Sequence, residues 1–595
     1  MRLLLLFILI SSNCYANELK QEVSLASRLE KDSSKIGKVT QVVDSYLVNA
    51  TKPTFLDEAL WNVGGLHVKR LSGAEGTLSI FSRGMRSTDS ILAIDGVKFH
   101  DPSDTQGSSA PMLQDMMLTS QDEIEILKGA SASVAGSTSQ GAIISINRPY
   151  GDKKLTYLQE AGSLRRFKEA ITVQDTNYRL DAIRLDTDRY SNSTFSGKVK
   201  VQGERWSLKP FFNQIVSFAQ LHDATSITNS VVIKDVANKL DKRENNIGLY
   251  GEKSHFELSD VISLHNLVSY TDSDRRFVFG LFSSDGSYLG QDLVVDDYIT
   301  ISHSDMFTSA IGYKYESESL NISQKGVEAE RDAYQVSRDI YAEEKIQLDD
   351  LSLLVSGRRS SQGDTSAWTY DLSGTYPIGK LVLASHFGTG FRNPSLYEKY
   401  GAYLSSSGMT HIGNPLLSPE RSWTYDATVR YSDDKNTVLV TPFMSRIRNP
   451  IIFESSLYKN GTSDRDPHGI EASYERYFGV LSYRANYTYT TGEDLIDIPK
   501  HELGNSILFC KNKWSGSLRV SYETSKLYAT FNNDTFETSK VRENPGLVVG
   551  TTANYAISKN VEVYIVANNA LDRTYTDGGY KRHGGEAYAG CKLTF

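Results

Sequence analysis

Cysteine is nearly absent. Three in 595 residues cannot build the disulfide framework of a small secreted scaffold. Cys14 falls in the N-terminal apolar segment, which leaves Cys510 and Cys591 either as isolated strand cysteines or as one bridged pair. Proline is scarce as well. Its 14 residues are roughly half the usual ~5%, and sheets exclude proline because it cannot donate to the ladder. Positive charge is not in excess: the net charge is −8 and the pI about 5.9. That excludes the basic footprint of a nucleic-acid binder. Beyond the N-terminus no apolar run approaches the roughly 20 residues a spanning helix needs, and mean hydropathy is −0.36. The chain also lacks a Walker A loop, an HExxH pair, a zinc-type cysteine cluster and a nucleophile elbow, so it is not read as an enzyme.

What is present begins at the N-terminus. Arg2, the apolar run Leu3 to Ile10, polar Ser11 to Asn13 and small Ala16 make residues 1–16 a secretory signal peptide. A lipoprotein reading, with Cys14 lipidated, fits poorly with Asn13 before it. Residues 17–50 are a polar leader with one β-prone patch, Glu22-Val23-Ser24-Leu25-Ala26. Residues 51–148 read as a small mixed α/β domain. Thr54 followed by Asp57 and Glu58 is a helix start. Leu78–Phe81, Ile91–Ile94, Ile124–Leu127 and Ala142–Ile146 are short apolar strands, and Asp95-Gly96 is a tight turn.

From 150 to 595 the pattern becomes period-2 alternation, as in Tyr483–Tyr489, Leu518–Tyr522 and Val561–Asn568. A membrane barrel turns the apolar face of such strands to lipid and the polar face to its lumen. A strand of roughly 9–11 residues plus its connections takes about 20. The region therefore holds about 22 antiparallel transmembrane strands, a barrel wide enough to need filling. Ser558-Lys559-Asn560 reads as a short periplasmic turn, and 220–246, 532–544 and 576–585 as outer loops. The last strand alternates Ala587, Ala589, Cys591, Leu593 and Phe595. Its terminal Phe resembles the signal read by the outer-membrane assembly machinery.

Seven segments, in order, carry a family resemblance. They are Ile80-Phe81-Ser82-Arg83-Gly84-Met85, Ile94-Asp95-Gly96-Val97 and Ile124-Glu125-Ile126-Leu127-Lys128-Gly129-Ala130, then 136–146, Gly390 to Glu398, Gly413 to Glu420 and Asn568 to Tyr575. Together they resemble the TonB-dependent outer-membrane receptors over the whole mature length. Lys128 and Ala130 stand where that family usually has Arg and Pro. Val23 to Lys31 and Tyr458 to Ala472 are most similar to the vitamin B12 (cobalamin) receptors within it.

The resemblance implies an all-β membrane protein: a barrel with the 51–148 domain inside it as a plug. Its function would be active import of a scarce, bulky nutrient. Cobalamin comes first, with a ferric siderophore or haem as alternatives. A non-specific porin or adhesin-type barrel would share the wall but would not need the plug. Expected partners are TonB with ExbB–ExbD, outer-membrane lipid and a small-molecule cargo, with the receptor a monomer. Glu22 to Ala26 would be the TonB box, a strand added to the partner's sheet edge. Arg83 and Lys128 would hold plug to barrel. Met85, Arg86, Phe99, His100 and Asp101, in the apical segments 85–89 and 99–108, would meet cargo. His100 and His411 are the candidate haem ligands. No cofactor is required. Calcium is a candidate through Asp272, Asp274, Asp296 and Asp297, although two pairs of Asp are thin for a cation that takes six to eight oxygens.

Overall fold

The computed structural model describes residues 23–595 except 71–75, 105–109, 225–234, 280–283, 325–329, 406–407, 455–456, 494, 533–536, 574–575, 578–579 and 582–583. From Lys154 onward, consecutive strands pair antiparallel until Glu586–Thr594 returns to Lys154–Gly162 and closes a 22-stranded barrel. The closing ladder sets Leu593 opposite Tyr157 and Thr594 opposite Thr156. Closure leaves no strand edge, which a membrane requires because lipid offers no hydrogen-bond partners.

Alternation decides what each face meets. On Thr365–Ile378, Thr369, Asp371, Ser373 and Thr375 are buried against the interior, while Trp368, Tyr370, Leu372 and Tyr376 face outward. The first and last strands run 8 to 11 residues, but those from Trp206 to Leu348 run 18 to 23. The stretch 220–246 is therefore not a loop as the sequence suggests. Trp206–Ala224 and Asp235–Glu257 carry most of it as a tall hairpin. Its polar residues belong to strand that rises past the membrane, where neither face needs to be apolar. One end of the barrel has short turns, such as that between Leu348 and Leu351. Phe595 bonds Leu155 at this end, so both termini of the barrel lie there.

Inside sits the plug. A five-stranded mixed sheet runs in the order Thr40–Val43, Glu123–Lys128, Ala142–Asn147, Ile91–Ile94, Val97–Lys98. Asp95 and Gly96 make the expected tight turn, with φ of 50° and 75°. The hairpin Leu66–Arg70/Leu78–Ser82 stands beside the sheet. Leu56, Leu60, Ile80, Phe99, Ile126 and Ile144 form the core, which the wall residues Ile215, Ile247 and Leu249 complete.

Three expectations change. Thr40–Val43 and the helix Ser45–Thr51 belong to the plug, not to a leader ending at 50. The helix Leu56–Leu60 starts from Phe55, which has no side-chain acceptor to cap it, and Thr54, one residue too early to be the cap, accepts from Arg166 and Lys168 of the wall. Cys591 is free, so no bridge joins it to Cys510.

Candidate functional site

The site is the seam where plug side chains meet the wall. Arg83 and Gly84 both take left-handed backbone, with φ of 52° and 81°, and this turn drives the guanidinium sideways out of the hairpin. Arg83 Nε donates to Glu471 Oε1 at 2.7 Å and Nη1 to Asp426 Oδ2 at 3.2 Å. Lys128 Nζ reaches Glu471 Oε2 at 3.2 Å and also donates to the Gly64 carbonyl. His386 joins from the wall, 3.3 Å from Asp426 and 2.9 Å from Asp371. Burial works against Arg83's charge, but Glu471 and then Asp426 outweigh it and hold the guanidinium above its ordinary value. Burial holds the Lys128 ammonium below its own, with Glu471 offsetting only part and Arg83 adding repulsion. A cavity of about 170 Å³ borders this station, between Thr40–Val43 and the wall, with Arg430, Glu471, Arg484 and Arg519 in its lining.

At the apex a second network runs through the residues of two barrel motifs. Arg392 grips Glu398 through both Nη atoms, at 2.8 and 3.0 Å, and Glu420 at 2.9 Å. Arg86 of the plug meets the same Glu420 at 2.5 Å and Asp89 at 2.7 Å. Ser395 caps the helix Leu396–Tyr400 in a reciprocal box with Glu398. That helix packs Leu396 and Tyr397 on Tyr288, Leu320 and Ile322 of the wall. The outer loop is thus folded inward.

The remaining apical residues are mostly enclosed. Met85 and Phe99 are buried, Phe99 fully within the plug core. Asp101 pairs with Arg275 at 2.5 Å and accepts from Ser103 N at 2.9 Å. His100 Nε2 lies 3.2 Å from Glu318. His411 ends the strand Gly408–His411, and its side chain lies outside the described residues.

The leader is docked. Glu22 lies outside the described residues, but Val23, Leu25 and Ala26 are buried against Ile36, Leu127, Ile143 and Leu354. They form bends, not a strand. Glu125 holds them: Ser24 N and Leu25 N both donate to its Oε1 at 2.7 Å. Arg28 then reaches the wall, 2.9 Å from Asp296 and stacked over Tyr341.

This corrects the calcium reading, because the four aspartates do not meet. Asp296 points inward and is taken by Arg28. Asp272 and Asp274 have the outward parity of Ile262–Phe279 and are exposed. Asp297 also points outward, bonded by Asn266. The wall partners Glu471, Asp426, Glu420, Arg392 and Arg275 were not singled out from the sequence. Their signal was a charge on the inward parity of an alternating strand, and Arg392, Glu398 and Glu420 sat inside motifs already recognised.

Comparison with known proteins follows this geometry. A family profile described as "TonB dependent receptor-like, beta-barrel" matches residues 164–570, and "TonB-dependent Receptor Plug Domain" matches 32–143. The vitamin B12 transporter BtuB of Vibrio cholerae is 21% identical over 96% of this chain and 95% of its own. That of Photobacterium profundum is 22% identical over 93% and 92%. Among solved structures, the ferripyoverdine receptor of Pseudomonas aeruginosa superposes with TM-score 0.79 at 14% identity, covering 97% of this chain and 90% of that one. The siderophore receptor PirA of Acinetobacter baumannii gives 0.76 at 13%, covering 93% and 98%. At these identities the superpositions speak to fold alone. With barrel and plug both matched, the chain belongs to the TonB-dependent receptor family, and it is an outer-membrane transporter of a Gram-negative bacterium rather than an enzyme.

Proposed function

We propose that this receptor imports a corrinoid of the vitamin B12 type. The observation that carries the reading is the end-to-end match to vitamin B12 transporters, 96% of this chain against 95% of the relative. Cargo binds outside, on the inward-folded loop and the plug apex. Of the five apical candidates, Arg86 and His100 keep side chains part-exposed. Phe99, Asp101 and Met85 act by holding the apex in shape. Binding shifts the population in which residues 22–26 leave the plug. TonB, powered through ExbB–ExbD by the proton-motive force, pairs with that segment and pulls. No bond in the cargo is made or broken.

A ferric siderophore is the second reading: siderophore receptors share this fold, and fold does not select between the two cargoes. The test is a titration of the detergent-solubilised mature receptor with cyanocobalamin, with and without calcium, beside haemin and a panel of ferric siderophores. Sub-micromolar cobalamin binding is expected. Silence toward cobalamin with tight binding of one siderophore overturns the corrinoid reading. Haemin binding lost in His100→Ala or His411→Ala replaces it with haem.

A further inference from the structure

Three wall carboxylates face each other beside the apex, and one plug imidazole, that of His100, stands against one of them, Glu318. Asp292 lies on Ser284–Ser302, and Glu316 and Glu318 lie on Phe307–Gln324, with Asp292 directly opposite Glu318. All three point inward and are buried. One carboxylate oxygen of each lies within 4.8 Å of the others. His100 Nε2 stands 3.2 Å from Glu318 Oε1. Lys98 of the plug sits among them, in contact with Glu316, 3.5 Å from Glu318 and 3.6 Å from Asp292. The outer oxygens have their own partners: Lys314 meets Glu316 Oε2 at 2.8 Å, and Gln335 donates to Glu318 Oε2 at 2.6 Å.

Asp292 is the exception. It is 1% exposed, yet neither of its carboxylate oxygens accepts a hydrogen bond. Buried polar groups are normally bonded, and a buried carboxylate without donors is costly. Lys98 at 3.6 Å attracts it without bonding it. The carboxylate is aimed at a position that an ammonium only partly serves.

We propose that this cluster binds a divalent transition-metal ion of the zinc type, through His100 Nε2 and one oxygen each of Asp292, Glu316 and Glu318. Lys98 holds the carboxylates together when the ion is away. An imidazole with carboxylates suits zinc and its neighbours, whereas calcium takes six to eight oxygens and no nitrogen. A tetrahedron with bonds of about 2.1 Å has edges of about 3.4 Å, so binding draws the three oxygens together and brings the His100 ring in from beside Glu318. The ammonium, on its flexible four-carbon stem, swings out. Side chains of Lys98 and His100 are 19% and 11% exposed, which leaves an approach. A bound ion would tie plug residue His100 to two wall strands, whichever cargo the receptor carries.

The test uses the full mature receptor in detergent, stripped with EDTA and titrated calorimetrically with zinc chloride alone. One equivalent is expected, weakened at least tenfold in Asp292→Asn and in His100→Ala. Lys98→Met removes the competing cation and should bind zinc more tightly than the wild type. Cobalt(II) in place of zinc should give a visible absorption band that His100→Ala changes. Absence of binding in both wild type and Lys98→Met overturns the proposal. So does zinc binding that Asp292→Asn and His100→Ala leave unmoved, since that ion would sit elsewhere.

Discussion

Arg83 illustrates how much a single side chain can be read and how much it cannot. Its own position was legible: a lone Arg before Gly in a short hairpin, in a segment resembling the plug motif. Its partners were not, because Glu471 and Asp426 lie 388 and 343 residues away and no local pattern links them. Strand parity says only that both face inward. Arg83 is 2% exposed and its guanidinium also lies 5.0 Å over the Phe443 ring. Removing one partner of a buried pair leaves the other charge uncompensated, at about 3–5 kcal/mol. In Arg83→Met, Lys128 and His386 remain to share the two carboxylates, so the lower end of that range is expected. Hydrogen exchange should quicken at Leu78–Ser82 and leave the distant ladder Tyr178–Asp186 unchanged. Adding Asp426→Asn should recover part of the loss, because Lys128 still neutralises Glu471 and His386 keeps Asp371. If the single variant exchanges like the wild type, desolvation cancels the attraction and the pair only sets register.

Short elements show where sequence reasoning stops. Leu78–Ser82, Ile91–Ile94, Glu123–Lys128 and Ala142–Asn147 fall where apolar runs placed them, since buried strands in a small domain announce themselves by composition. The leader did not. A β-prone patch in polar surroundings looks mobile, yet 23–30 is bent and fastened by groups far along the chain. Three of those fastenings converge on Glu125, which accepts Ser24 N, Ser24 Oγ and Leu25 N. Glu125→Ala leaves two backbone N–H groups with no acceptor, at about 1–3 kcal/mol each where buried. The 23–26 segment should then exchange its amides as a free peptide does, while Thr40–Val43, which pairs with the strand carrying Glu125, keeps its protection. Binding of a soluble TonB C-terminal domain should tighten in the same variant, because the cost of undocking is already met. A leader still protected in Glu125→Ala would mean that the apolar contacts of Val23 and Leu25, with Arg28 on Asp296, suffice to hold it.

At the scale of the molecule, alternation yielded the barrel, because lipid outside and a polar interior impose one rule on every strand, and the length of the region at about 20 residues per strand yielded the strand number. The unequal strand heights escaped that rule, since residues above the membrane carry no apolar period. The plug is what separates a gated receptor from a porin with the same wall. Its ion stations at Arg83, Arg86 and Asp101 bind it to strands around the interior, and buried core residues of plug and wall interlock. The cavity beside Thr40–Val43, about 170 Å³, has room for several waters. It borders Lys128 and Glu471, which are themselves joined, so this gap in the seam abuts a bonded station. The wild-type receptor should therefore pass no steady current in a planar bilayer. A chain lacking residues 32–148 should form an open, weakly selective pore, because a ring of 22 strands encloses a wide lumen once emptied. Arg83→Met should fall between, with brief openings as the plug loosens. Steady porin-like conductance in the wild type would show that the plug does not seal the barrel, and diffusion through it would then compete with any driven transport.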